Sequence, residues 1–240
     1  YYEMLPDDAS IKQDYLAMLA TTDAAEKARL EKKLREHAVP GTIDVNIMTK
    51  LDRVNFSHGK ELEPEFSDAM AALRGFALST VSSSIILSAG INKRLYSYIA
   101  SFDDFFPDEN GNSKKQVVLK VSDFRSAEIQ GKFLAKQGVW VSEYRIESGL
   151  NCGGHAFASK GFVLGPILEE FKEKKEALSE KLHTMYAKAA AALGRQVGDS
   201  PREVRITVQG GIGTAAEDQL LLKYYGVDGT GWGTPFLLVP

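Results

Sequence analysis

Cysteine is almost missing from this chain: among 240 residues there is one, Cys152. An internal disulfide is therefore impossible, and a zinc site built from several cysteines of this chain is excluded. A reducing, cytoplasmic setting fits that usage. Long apolar runs are missing too; none reaches the length needed to cross a bilayer. The opening Tyr1-Tyr2-Glu3-Met4-Leu5-Pro6 has neither the basic nor the apolar region of a secretory leader. Excess charge of either sign is absent, with 29 Lys+Arg against 32 Asp+Glu and a net charge of −3. That balance offers no electrostatic footprint for nucleic acid or a membrane surface, so neither is expected as a partner. Repeats, low-complexity tracts and Pro/Gly/Ser linkers are lacking as well, and residues 1–240 are expected to form one domain. An initiator Met is absent and the chain stops on Pro240 straight after an apolar strand, so both ends read as cut.

What is present is an alternation of two hydrophobic periods. Leu16, Leu19, Ala20, Ala24, Leu30 and Leu34 form a rough helical stripe over 11–38, stopped by Pro40-Gly41. Strands are expected at 43–48 and 84–88, then at 117–121 and from 139 to 149. The last two start near Ile206 and Val227. Helices are expected at 64–78, 91–101, 126–137 and 165–194, with Gly138 ending the third. Val117-Val118-Leu119-Lys120-Val121 is a nearly continuous apolar run, as suits a strand covered on both faces. Six strands recurring at intervals of roughly 30 residues predict a parallel sheet with crossover helices. By this count alone an open doubly wound sheet and a (β/α)8 barrel both fit.

The chemistry concentrates at strand ends. Ile206-Thr207-Val208-Gln209 runs into Gly210-Gly211-Ile212-Gly213-Thr214, and Gly226-Val227-Asp228-Gly229-Thr230-Gly231 into Trp232-Gly233-Thr234-Pro235-Phe236. Glycines there leave backbone N–H groups bare for close approach of a phosphate. In a parallel α/β protein, ligands bind at those same C-terminal strand ends. A phosphorylated cofactor or substrate is therefore expected. Ser148-Gly149-Leu150-Asn151-Cys152-Gly153-Gly154-His155 follows another strand, and a histidine at the mouth of a sheet can carry protons near neutral pH. The plainer reading of a lone His155 is a packing or capping residue.

Taken in order, Gly153-Gly154-His155, Gly210-Gly211-Ile212-Gly213-Thr214 and Gly226-Val227-Asp228-Gly229 with the following Gly233-Thr234 and Phe236 resemble the nitronate monooxygenase family. Flavin-dependent enoyl-acyl-carrier-protein reductases share the pattern. Val45-Asn46-Ile47-Met48 and Lys120-Val121-Ser122 extend the likeness over about residue 25 to Phe236. The resemblance implies an FMN-binding TIM (β/α)8 barrel, here an N-terminally truncated six-strand portion. It implies a flavoprotein oxidoreductase that oxidises a small nitronate-like molecule with oxygen. His155 would move the proton next to the nitro group. Gly210 and Gly211 would offer amides to the FMN phosphate, completed by Gly233 and Thr234. Asn46 would contact the flavin, and Gly153 and Gly154 would let the chain pass close to it. Lys120 would stabilise negative charge on the reduced ring, against the equal reading of a snorkelling strand-end lysine. No metal is implied.

Two departures bear on the substrate. Asn151-Cys152 stands where the family often has Glu-Ala, and Pro235 where it often has Arg. The rival readings are a nicotinamide-dependent enoyl-thioester reductase and a non-catalytic barrel that binds a phosphate ligand or flavin. Cys152 reads better as a small residue than as a nucleophile paired with His155. The charged stretch from Leu168 to Leu193 reads as an amphipathic barrel helix, with a lid or homodimer contact as the sharper alternative. His37, His58 and His183 lack metal-ligand spacing and read as surface or helix residues.

Overall fold

The computed structural model describes residues 2, 5, 7–38, 44–47, 52–88, 90–108, 111–147 and 164–231. By its contacts the chain forms two compact units, Tyr1–Thr42 and Ile43–Pro240, where the sequence pattern suggests one domain. The first unit holds helices α1 (Ser10–Ala20) and α2 (Ala24–His37). The pattern predicts one helix over 11–38, but the chain breaks at Thr21-Thr22-Asp23. The physical reason is a cap: the Asp23 carboxylate accepts from the Ala25 and Glu26 N–H groups and starts a new helix. An ion pair of 2.7 Å between Lys33 and Asp14 ties the two helices together.

The second unit runs β1 (Val45–Ile47), β2 (Phe56–Ser57), β3 (Lys60–Glu61), α3 (Asp68–Ala77), β4 (Ser83–Leu87), α4 (Lys93–Ile99), β5 (Lys115–Val121), α5 (Phe124–Lys136), β6 (Val141–Glu147), α6 (Leu164–Ala192), β7 (Arg205–Gln209), α7 (Ala215–Lys223) and β8 (Gly229–Gly231). Six of these strands make one sheet in the order β1-β4-β5-β6-β7-β8, every pair parallel. The order never reverses. A doubly wound sheet changes direction at a switch point, so the open alternative is settled in favour of the barrel type of winding. The fold is α/β, a six-strand portion of a (β/α) barrel.

Alternation along the strands sorts the side chains. Ile85, Leu87, Leu119, Val121, Tyr144, Ile146, Ile206 and Val208 lie buried in one core with Leu73, Leu134, Phe171, Leu182 and Tyr186 of the helices. The opposite face carries Lys120, Glu143, Arg145, Glu147, Thr207 and Gln209, which contact one another across β5, β6 and β7. Arg145 also comes within 3.8 Å of Asp44, just before β1. β1 and β6 are three positions apart in the sheet, about 14 Å if the sheet were flat. Side chains that meet over that span are those of a sheet curling toward a barrel.

Local signals explain most boundaries. Asn92 caps α4 and Asp123 caps α5 through side-chain acceptors. Gly138, at φ 73°, closes α5, with Val139 N–H on Leu134 C=O and Gly138 N–H on Ala135 C=O. That is the Schellman pattern, which needs a residue at home in the left-handed region. On α6 the stripe Leu168, Phe171, Leu178, Leu182, Tyr186 and Ala190 is buried, as an amphipathic barrel helix requires. The small hairpin β2–β3 has no counterpart among the expected elements. Its turn is His58-Gly59, and His58 sits at φ 49°, a conformation that histidine does not advertise in sequence.

Candidate functional site at the C-terminal strand ends

All six parallel strands point the same way, so their C-terminal ends share one edge. At that edge three neighbouring strands contribute polar side chains to the inner face. Lys120 is the penultimate residue of β5, Glu147 ends β6 and Gln209 ends β7. Lys120 Nζ lies 3.2 Å from Glu147 Oε1, and both side chains are more than nine-tenths buried. Gln209 Nε2 donates to the same carboxylate oxygen. The register makes this possible: Glu147 pairs with Gln209, and Lys120 with Arg145, two residues before Glu147.

One layer deeper lies a second cluster. Arg145 donates to Glu143 Oε1 from Nε at 2.9 Å and approaches it from Nη2 at 2.7 Å. Thr207 Oγ1 donates to the same oxygen at 2.5 Å, and Arg205 approaches Glu143 Oε2 at 3.6 Å. With Asp44, the described residues of the inner face thus include three carboxylates and three cations. The balance matters chemically. It makes the face a set of ion pairs rather than a sink for anions, and paired charges in a poorly solvated setting interact far more strongly than in water.

Sequence reasoning singled out Lys120 but not Glu147, Gln209, Glu143, Arg145 or Thr207. A signal was there. Val141-Ser142-Glu143-Tyr144-Arg145-Ile146-Glu147 alternates charged and apolar residues with period two, on a strand that sits in the middle of the sheet. Charges at every second position of a central strand mean that one of its faces is polar.

The expected cofactor-binding residues divide into groups. Asn46 stands exposed on β1, beside Ile86 of β4. Gly210 and Gly211 follow β7 with φ of 84° and 73°, a double left-handed turn that glycine makes without strain. The Gly210 amide does not face outward as expected; it donates to the Gly231 carbonyl at 3.1 Å and continues the β7–β8 pairing. His155, Gly153, Gly154, Gly233 and Thr234, together with Cys152, lie outside the described residues.

Beyond the turn, the amides of Gly213 and Thr214 both donate to Glu217 Oε2 at 2.9 Å, and Thr214 Oγ1 accepts from the Glu217 N–H. This capping box places a carboxylate of the chain itself over two amides at the start of α7. The Gly213 N–H, then the Thr214 hydroxyl and amide, hold the Glu217 carboxyl below its usual range. For a flavin phosphate, the described residues therefore keep the glycine turn and the Gly211 position, while the amides of 210, 213 and 214 are engaged. Asn46 and Lys120 remain as polar groups on the inner strand ends.

His183, expected at a surface or simply on a helix, is buried on α6 against Trp140 and Tyr186, with ring centroids 6.1 and 6.2 Å away. No cluster of three or more His, Cys, Asp or Glu suited to a metal ion occurs among the described residues. Nor, among them, is any helix long and apolar enough to cross a membrane.

No family model matches the chain, and no curated protein matches it. Among solved structures it is similar to the crystal structure of a HpcH/Hpal aldolase/citrate lyase family protein from Burkholderia cenocepacia J2315, with a TM-score of 0.40 and 11% identity over 95% of this chain and 86% of that one. At that level of likeness the architecture rests on the strand order and the function on the site.

Proposed function

We propose that the chain is the barrel portion of an FMN-dependent oxidoreductase of the nitronate monooxygenase kind, acting on a small molecule. One observation supports the reading above the others. Asn46 and Lys120 lie on β1 and β5, and Gly153-Gly154-His155, Gly210-Gly211 and Gly233-Thr234 come in the chain after β6, β7 and β8 of the same parallel sheet. Loops after parallel strands leave from a common edge, the usual seat of ligands in this architecture. A scatter of the same motifs over both edges would have spoken against a single site.

In this reading Gly211, with Gly233 and Thr234, holds the phosphate, while Gly210 shapes the turn rather than donating. Asn46 and Lys120 face the ring, and His155 handles the proton. When bound, FMN supplies the electron chemistry, and the protein supplies orientation and charge.

Titration of the purified protein with FMN tests this directly. Binding quenches the fluorescence of free flavin and perturbs its visible bands, and Gly211→Val, which strains a left-handed position, weakens that binding. A protein that takes up no FMN at any accessible concentration ends the proposal. His155→Ala with unchanged turnover of a nitronate removes that residue's role alone.

A further inference from the structure

A second pair of reactive groups lies at the opposite edge of the sheet, where the strands begin. Lys115 opens β5, and Ser79 stands in the turn between α3 and β4. The Lys115 side chain is fully buried. Its Nζ donates to Ser79 Oγ at 2.8 Å and to the Val81 carbonyl, 4.4 Å from the centroid of the Phe76 ring. The nearby Asp104 carboxylate is held by Lys114 at 2.8 Å, and among the described residues no carboxylate forms an ion pair with Lys115. A buried lysine among neutral partners gives up its proton readily. Burial first, then Lys114, holds this one below the usual lysine range, with Asp104 opposing. The free amine faces a hydroxyl. Ser79 itself is only half-buried, between exposed Leu78 and Thr80, so a ligand can approach the serine while the base stays behind it. The hydroxyl also donates to the Phe76 carbonyl at 2.7 Å, but that carbonyl keeps the Ser79 N–H at 3.1 Å when the hydroxyl rotates. Serine and base within hydrogen-bond reach, the base oriented by a third group, is the geometry of an activated nucleophile. Here the Val81 carbonyl and the Phe76 ring orient the amine.

We propose that Ser79 is a nucleophile and Lys115 its base, and that together they accept the acyl group of a small apolar ester. The Lys115 amine takes the Ser79 hydroxyl proton as Oγ bonds to the acyl carbon. The carbon–oxygen bond to the leaving alcohol then breaks, and Nζ passes the proton to the departing oxygen. The products are an alcohol and an acyl ester on Ser79. Water cleaves that ester with the same amine as base, giving a carboxylic acid and the free hydroxyl. No oxidant, reductant or cofactor enters either step. Leu78 and Val81, 72% and 46% exposed, stand on either side of Ser79 in the chain, and their apolar surface suits an uncharged acyl chain. The site does not depend on the flavin reading and uses none of its residues.

The test uses p-nitrophenyl butyrate with the whole chain and no added flavin. The wild type releases p-nitrophenolate faster than buffer alone. Acid quenching traps one butyryl group, which peptide mass mapping places on Ser79; hydroxylamine removes it, as it removes an ester but not the amide formed on a surface lysine. Ser79→Ala, with its fold checked by far-UV circular dichroism, loses the accelerated release. Lys115→Met loses about a hundredfold or more, the scale of a positioned general base. After subtraction of the buffer rate, wild-type release rises with pH as Nζ loses its proton and levels off below 10.5. A lysine that only caps the last turn of α3 gives no such plateau. Release no faster than buffer overturns the proposal. So does release that Ser79→Ala leaves unchanged, or butyryl found only on lysine amides. Should Lys115→Met fail to fold, the pH profile takes its place, and a rate that climbs without levelling off removes the base. FMN uptake is measured separately and is the same in wild type and Ser79→Ala, so either reading can fail without the other.

Discussion

Gly131 and Tyr144 share one space. A Cβ built at Gly131, in the middle of α5, would lie 2.1 Å from the Tyr144 hydroxyl oxygen and 2.9 Å from Leu182 Cδ1. Tyr144 points from β6 into the helix layer and is fully buried. Glycine inside a helix costs about 1 kcal/mol relative to alanine, and here that cost makes room for the ring that joins β6, α5 and α6.

Gly131→Ala should therefore destabilise, although alanine is the better helix former. The backbone of α5 or the Tyr144 ring has to move, and overpacking of this kind costs about 1–3 kcal/mol. Urea unfolding followed by circular dichroism measures it. An unchanged or raised midpoint would show that the ring can swing away.

Tyr144→Phe should be neutral or mildly stabilising. The hydroxyl is buried with no hydrogen-bond partner among the described residues, and burial pushes its pKa up. Removing an unsatisfied polar group relieves a desolvation cost of about 1–3 kcal/mol. A clear loss of stability would mean that the oxygen has a partner, such as an ordered water. Added to Gly131→Ala, the same change should recover part of the damage.

At the strand ends, Glu147→Leu should cost more than Glu147→Leu combined with Lys120→Met. Breaking one side of a buried pair leaves an uncompensated charge, typically a loss of ~3–5 kcal/mol, while replacing both with apolar groups is often nearly neutral. Equal losses in the single and double variants would count against the pairing.

Lys115 predicts a rise of stability with pH. Its ammonium is buried at the start of β5, donating to Ser79 Oγ at 2.8 Å and to the Val81 carbonyl, over the Phe76 ring. Burial is the main cause that lowers its pKa below 10.5, with the neighbouring Lys114 adding to it. Between the lowered folded value and 10.5 the unfolded chain binds more protons than the folded one, so stability increases as pH rises through that window. Lys115→Met should lack this increment. Unfolding midpoints that fall over the same window would contradict the burial argument.

Glu217 predicts the opposite limb. Its carboxyl is held below 4.5 chiefly by the Gly213 N–H. A depressed carboxylate contributes stability that is present above its unfolded value and lost as pH falls through the folded one. The difference between wild type and Glu217→Gln should then persist at neutral pH and vanish in acid. A difference independent of pH would place the effect in packing rather than charge.

Much of the sheet could be read from the chain because its outward positions are apolar at alternate residues. Val117, Leu119 and Val121 mark β5 by themselves, and Gly138 marks the end of α5. Thr21-Thr22-Asp23 was harder, since helical stripes continue on both sides and only the cap at Asp23 breaks them. The hairpin at His58-Gly59 was not legible, because a histidine in a left-handed turn carries no pattern. For the site, Lys120 and the glycine turn after β7 stood out by residue type. Glu147 and Gln209 did not, since each has ordinary neighbours along the chain and its partners lie on other strands.

Composition and periodicity by themselves determined an α/β protein without an internal disulfide, six strands with crossover helices, and a glycine turn after β7. Local rules suffice there, because capping, turn formation and alternation act over a few residues. The tertiary structure alone decided that the strands follow one another without reversal, that Lys120, Glu147 and Gln209 meet, and that the Gly210 amide closes a ladder. Those outcomes depend on register and on the curl of the sheet. They join residues 21 to 62 positions apart, a distance over which no local preference can act.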